Sequence, residues 1–373
     1  MQRNSLHLFN IFGIPIRIHS SWLIIFVLIT WSLAASYFPS KYKDWSQDTC
    51  WTVGIVASLL FFLSVLLHEL SHSVVARLRG MKVRDIVLFV FGGVSELGSE
   101  PGSARTEFLM AFVGPLMSFA IGLASLAVWS LTKTVNQPVS AVAYYLFWVN
   151  MLLGVFNLIP GFPLDGGRVL RSIIWGTTGD LQKATRWATQ MGVFVAYAFI
   201  FIGIWQAFTG QFINGLWLAF IGWFLHSAAQ GSYSSMVTKD LLSGHTVSEL
   251  VNRDYPKIPQ ELSVDVLVHD YLLGQRRRCL PVMNGDRYVG LVTVHSVQAA
   301  PRERWQTMRV ADVMIPVERV KTVLPKNDLW SALEEMTEEG VHQLAVAENG
   351  QFIGMLARDG VMGFLKMHAE LKG

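Results

Sequence analysis

The sequence predicts a polytopic α-helical membrane protein, with about six transmembrane helices and a membrane-associated β-strand segment, followed by a cytoplasmic α/β module. Three observations carry that prediction. Hydrophobic residues make up 52% of the 373 and charged residues only 15%, with a mean hydropathy of +0.39. The charges are unevenly spread: 34 of 57 fall after Val237. The final 135 or so residues, enough for a core of their own, repeat themselves at a spacing of 64 (Gly290 to Gly354).

Charge-free apolar runs place the spans at about 20–38, 51–76, 108–131, 139–159, 187–208 and 212–229. The first is long and lacks a small-residue cleavage site, so it is expected to be a retained span rather than a cleaved signal. Arg3 and Arg17 precede the first span. Arg77, Arg79, Lys82, Arg84 and Arg105 lie between the second and third, and Arg168, Arg171, Lys183 and Arg186 between the fourth and fifth. The alternate loops hold only Lys41, Lys43 and Lys133. Excess Lys/Arg marks the cytoplasmic side, so both termini are expected there. Residues 83–97, VRDIVLFVFGGVSEL, are β-branched and aromatic around Gly92-Gly93 and read as strand. Strand backbone beside a membrane must be paired or face a cavity. It serves either as a hairpin tying two helices together or as an edge that holds an unwound substrate by backbone pairing.

His68-Glu69-Leu70-Ser71-His72 closes a charge-free run from Trp51 to Leu67. On a helix, i and i+4 share a face, so His68 and His72 can grip one metal ion. Glu69 beside them is free to accept a proton from the attacking water. The plainer reading is a pair of helix-end histidines and a solvated Glu. A charged triplet in an apolar helix is costly, which favours a functional role. A catalytic site needs a third protein ligand, and Asp165 is the candidate, in Asn157-Leu-Ile-Pro-Gly-Phe-Pro-Leu-Asp-Gly-Gly-Arg168. Pro160 and Pro163 break the fourth span there, and Gly166-Gly167 is expected to let the backbone turn. The competing role for Asp165 is a helix cap at a membrane exit.

With HELSH at 68–72 and NLIPGFPLDGGR at 157–168, the chain resembles the site-2 protease family of intramembrane zinc metalloproteases. The Phe91–Gly93 turn and Val113-Gly114-Pro115 support the resemblance. It implies one catalytic Zn²⁺ held by His68, His72 and Asp165, with Glu69 as general base and acid. It also implies that Asn157 stabilises the scissile carbonyl or the oxyanion. Ser118 departs from the Asn that many relatives carry after Gly-Pro, at a helix-packing position. Among other polar residues, Glu107 reads as an N-terminal helix charge, Glu96 and Glu100 as loop residues facing water, and His226 as an interfacial histidine.

The repeat aligns Leu280-Pro-Val-Met with Leu344-Ala-Val-Ala, each copy reading helix, strand, strand, helix, with turns at Asn284-Gly285 and Asn349-Gly350. It resembles a tandem pair of CBS domains, which often bind adenine nucleotides. The division expected is thus 1–237 for the transmembrane zinc metalloprotease domain and 238–373 for the CBS pair, with copies at about 245–300 and 310–371. The Thr/Ser and Asp that hold the ribose in such relatives are matched by Thr293 alone. Ser296 and Ala357 depart from the pattern, and Asp359 is displaced by one position, so no nucleotide-binding residues are assigned. Arg276-Arg277-Arg278 could meet phosphates or anionic lipid heads, or form a solvated helix end.

The function expected is an intramembrane zinc endopeptidase acting on single-span membrane proteins in a bacterial inner membrane, with the CBS pair as its regulator. The alternatives are a CBS-regulated metal or ion transport protein, which would need no general base at Glu69, and a catalytically dead scaffold. Expected partners are transmembrane substrates, the lipid bilayer, an adenine nucleotide and a second copy of the chain. A net charge of +3 is too mild to argue for nucleic acid. Cys50 and Cys279 lie in different domains, and no CxxC is present, so neither a disulfide nor a cysteine metal site is expected.

Overall fold

Charge-free runs form long helices because a helix satisfies its own backbone in lipid or in protein alike. The computed structural model describes residues 5–90, 92–97 and 101–372, and the chain divides into two units, Met1–Ser234 and Ser235–Gly373. Arg3, Phe91 and Glu100 lie outside the described residues. The first unit opens with β1 (Ser5–Ile11) and β2 (Ile14–His19). Then come α1 (Trp22–Lys41), α2 (Gln47–Leu78), β3 (Val83–Phe89), β4 (Gly92–Leu97) and α3 (Ala104–Thr132). These are followed by α4 (Gln137–Asn157), the short α5 (Asp165–Thr178), α6 (Leu181–Phe208) and α7 (Phe212–Leu242), the last running past the unit boundary. Every helix named except α5 is long and apolar enough to cross a membrane, six in all among the described residues.

The helices outrun their apolar cores because capping residues set their ends. At the start of α2, the Ser46 hydroxyl accepts from the Thr49 N–H at 3.2 Å. The 32 residues of α2 make a rod of about 48 Å, well beyond the roughly 30 Å of bilayer hydrocarbon.

The segment 83–97 is strand, as expected, and folds as a hairpin with Val87 opposite Val94. The strands before it were not anticipated: β1 and β2 pair antiparallel, and β2 pairs parallel with β3, giving the order β1-β2-β3-β4. Their turn, Phe12-Gly13, has positive φ at both residues (49° and 69°), the geometry of a two-residue hairpin turn without its usual Asn-Gly signature. Ile14 and Ile16 of β2 and Ile86 and Leu88 of β3 are buried against Val65, Leu66 and Leu70 of α2. The sheet is thereby fixed to the helix that carries the histidines. Glu96, expected in a loop, pairs instead with Asp85 at the end of β4. β4 is the outer strand, and its far edge is unpaired among the described residues.

One detail corrects the sequence reading. Gly166 and Gly167 do not turn the chain but lie in the first turn of α5. A Cβ on Gly166 would strike the Leu158 and Ile159 carbonyls, and one on Gly167 the Gly161–Phe162 backbone. Their role is close approach: they let the loop after α4 lie flat on the start of α5.

In the second unit the first copy forms the sheet Ile258–Pro259 (β5), Cys279–Asn284 (β6), Arg287–Thr293 (β7) and Ile315–Pro316 (β8). The second copy orders Gln351–Ala357 (β11), Gln343–Glu348 (β10) and Thr322–Val323 (β9). Equivalent residues meet across a pseudo-twofold relation: the Tyr288 and Phe352 rings are 5.4 Å apart, and the Cys279 thiol donates to Gln343 Oε1 at 2.8 Å. Each pair is 64 apart in sequence, so the offset read from the chain is the symmetry of the fold. Asn349-Gly350 turns the second hairpin with positive φ at both residues. In the first copy the turn falls one residue later than expected, on Gly285-Asp286, because Asn284 pairs with Arg287.

Candidate active site

His68 and His72 lie one turn apart on α2, both buried, their rings 4.9 Å apart and inclined at 77°. Asp165, the first residue of α5, faces them: its Oδ2 is 3.1 Å from His68 Nε2 and 3.2 Å from His72 Nε2. These three supply the one group of ligand atoms, all within 4.8 Å of one another, found among the described residues.

The neighbours decide which ring nitrogens are free. His72 Nδ1 lies 2.6 Å from the Met110 carbonyl of α3. A carbonyl only accepts, so Nδ1 carries a proton, and Nε2 is the nitrogen turned toward Asp165. His68 Nδ1 is 2.9 Å from the Ser118 hydroxyl, two turns further along α3. Second partners of this kind fix ring orientation in metal sites. Ser118, expected only as a packing position, therefore orients a candidate ligand. Between Met110 and Ser118, α3 presents Gly114, and a Cβ there would fall on His72 Nε2 and His68 Nε2. The space between the imidazoles exists because that residue is glycine.

Two ligands on tetrahedral arms of 2.0–2.1 Å stand about 3.3 Å apart, close to the two N···O separations. Two imidazoles, one carboxylate and a cradle kept open by Gly114 fit a zinc ion with one coordination position left over. Burial alone would push the Asp165 carboxyl up. The facing His72 imidazole, with hydrogen bonds from both histidines, holds it below the usual carboxylate range, in the anionic form a ligand needs.

Glu69, next to His68 on α2, is separate from the ligand group and lies under the hairpin. Ser95 Oγ of β4 is 3.3 Å from Glu69 Oε2, and Ser73 Oγ is 2.9 Å from Ser95 Oγ. A Cβ on Gly93 would meet Glu69 Cγ. Sequence reasoning missed Ser73, Ser95 and the reason for Gly93. The one available signal was the Gly-Gly pair in a segment rich in β-branched and aromatic residues.

Glu107 lies in the first turn of α3, as expected, but it is more than a helix-start charge. It is fully buried, and one of its oxygens receives Arg171 of α5 through both Nε, at 2.7 Å, and Nη2. Asn157 ends α4, and no hydrogen bond joins it to the His–His–Asp group among the described residues. His226 stands apart on α7, 3.4 Å from the Tyr197 hydroxyl. In the CBS-like unit, Thr293 and Ser296 are occupied with each other as a helix cap, Thr293 Oγ1 accepting from the Ser296 N–H at 3.1 Å. Asp359 is exposed in the first turn of the last helix, Arg358–Lys372. Arg277 packs over the Tyr255 ring at 4.7 Å.

Comparison with known proteins identifies the family. The pattern of peptidase family M50 matches residues 56–135 and 127–199, and that of the CBS domain matches 247–303 and 310–366. The chain is 34% identical over 354 residues to Rip3 of Mycobacterium tuberculosis, a zinc metalloprotease by name, covering 94% of this chain and 90% of that protein. It is 27% identical over 371 residues to the zinc metalloprotease MJ0392 of Methanocaldococcus jannaschii, covering 99% of each. Among solved structures it is similar to a site-2 protease from Methanocaldococcus jannaschii, with 31% identity, a TM-score of 0.44, and coverage of 61% of this chain and 95% of that one.

Proposed function

The chain belongs to peptidase family M50, as an integral membrane zinc metalloprotease with tandem CBS domains, and from that premise we propose that it cleaves single-span membrane proteins within or near their transmembrane helices. The observation that carries the reading is the convergence of His68, His72 and Asp165 beside Glu69, which itself lies against β4, the outer strand of its sheet. His68, His72 and Asp165 hold one zinc. When bound, the zinc supplies a Lewis acid that polarises a carbonyl and acidifies water. Glu69 takes the proton of the attacking water and hands it to the departing amine. Ser95 and Gly93 hold the Glu69 side chain in place, the first by hydrogen bonding and the second by leaving it room. Asn157 takes the role of supporting the developing oxyanion.

A substrate helix hides its carbonyls in its own hydrogen bonds, and opening them in lipid costs several kcal/mol per group, roughly. Pairing an unwound stretch with β4 offsets that cost. The membrane proposed is a bacterial inner membrane, and the Lys/Arg distribution supports an orientation with both termini cytoplasmic and the site in the cytoplasmic half of α2. The CBS pair is then a cytoplasmic regulator with an adenine nucleotide as its ligand class, although a ribose at Thr293 would first have to displace its cap. Family membership removes the metal-carrier alternative. The test is to incubate the purified protein with a panel of one-span substrates, with and without a zinc chelator. Chelator-sensitive cutting near or inside the span is expected. Cutting only of soluble loops overturns the reading.

A further inference from the structure

We infer that the buried pair Glu107–Arg171 is a positioning clasp that holds the carboxylate ligand against the two-histidine face. Glu107 lies three residues before Met110 on α3, so the two share one face and one turn. The Met110 carbonyl fixes the His72 ring. Arg171 lies on α5, which begins at Asp165. The ion pair thus joins the helix that orients His72 to the helix that delivers Asp165.

Arg171 is tied to the approach to Asp165 as well. Its guanidinium stacks on the Phe162 ring at 5.3 Å. Phe162 is buried three residues before Asp165, its N–H donates to the Ala188 carbonyl of α6 at 3.2 Å, and Gly192 leaves no room beside its carbonyl. The loop carrying Asp165 is held from α3 through Arg171 and from α6 through its own backbone.

The geometry argues against a role in stability alone. Glu107 is 0% exposed and Arg171 7%. Both Arg171 nitrogens go to Oε1, and Oε2 has no hydrogen-bond partner. A buried ion pair contributes little over a well-packed apolar pair, and an orphaned buried oxygen makes it worse. A clasp that fixes two helices in register, by contrast, needs a directional, forked donor.

This inference rests on the reading of His68, His72 and Asp165 as zinc ligands. The test uses the full chain in detergent, following zinc release to a chromogenic chelator and the melting of the zinc-stripped protein. The variants are Glu107→Gln, Arg171→Lys and the apolar pair Glu107→Leu/Arg171→Met. The apolar pair is expected to melt, stripped of zinc, at or above the wild-type temperature and yet to release zinc at least tenfold faster. Arg171→Lys, which keeps the charge but loses the fork, should fall between it and the wild type. Wild-type zinc release in any variant that folds overturns the clasp. A full zinc equivalent in Asp165→Ala would instead overturn the ligand assignment, so the two failures are distinguishable.

Discussion

Gly114→Ala puts the site to a severe test, because a single methyl group separates its effect on the helix from its effect on the metal cradle. Glycine costs an α-helix about 0.5–1 kcal/mol relative to alanine, so on α3 alone the substitution is stabilising. At the site the sign reverses. The new Cβ would stand 2.7 Å from His68 Nε2, where ordinary contact begins at 3.4 Å, and closer still to His72 Nε2. The His68 ring must retreat by about 0.7 Å, the difference of those two distances, or α3 must withdraw. Either movement breaks a positioning contact, because α3 holds both rings through Met110 and Ser118 at 2.6 and 2.9 Å. Metal–ligand distances tolerate only about 0.2 Å, and misplacing a catalytic group by about 1 Å costs on the order of 100-fold. That factor corresponds to about 2.7 kcal/mol in the barrier. The assay is cleavage of a one-span substrate by the detergent-solubilised variant, with zinc content from elemental analysis. Gly122→Ala on the same helix is the control, since its Cβ clashes with the flexible Met151 methyl, while the Phe147 carbonyl and Asn150 Cβ stand at ordinary contact, 3.4 and 3.6 Å. Gly114→Ala should lose about 100-fold in activity, with reduced zinc, while Gly122→Ala keeps both. Activity within threefold of wild type with a full zinc equivalent would refute the argument.

Other perturbations separate the roles further. Glu69→Gln should abolish cleavage and keep zinc bound, since only proton transfer is lost; near-normal turnover would exclude Glu69 as the base. Asp165→Ala or His72→Ala should lose zinc and activity together, read by elemental analysis. Products of a one-span substrate, mapped by mass spectrometry, should show cuts in the cytoplasmic half of its span, and cutting should slow when Gly or Asn in that span becomes Leu. Burial pushes the Cys279 thiol up to about 11. The folded protein should therefore resist alkylation there at pH 8 and react once urea opens the module, as peptide mass mapping would show.

The sequence carried the spans, the His–Glu–His face and the repeat because each has a period or a composition that survives without coordinates. Charge-free runs about 20 residues long, an i,i+4 pair and an offset of 64 are one-dimensional signals. Residues that act through distant partners left no such trace. Ser118 became an orienting residue only when α3 came to lie against α2, and Glu107 found its partner 64 residues on, in Arg171. The N-terminal hairpin was hidden for a local reason: its turn is Phe12-Gly13, where an aromatic residue takes the positive φ that Asn usually supplies.

The glycines show most directly why local rules misread this site. By propensity, Gly114 is a weak point in a helix, Gly93 a break in a strand, and Gly166-Gly167 a turn. In the fold each is the place where something else needs the volume of a Cβ: the two imidazoles, the Glu69 side chain, and the carbonyls of the loop that delivers Asp165. A catalytic ion inside a membrane needs helices packed closely enough to exclude lipid, and ligands arriving from different helices. Close backbone approach satisfies both demands at once, at a cost in helix propensity. An unexplained glycine on a helix facing a metal motif is therefore better read as space reserved for a ligand than as flexibility.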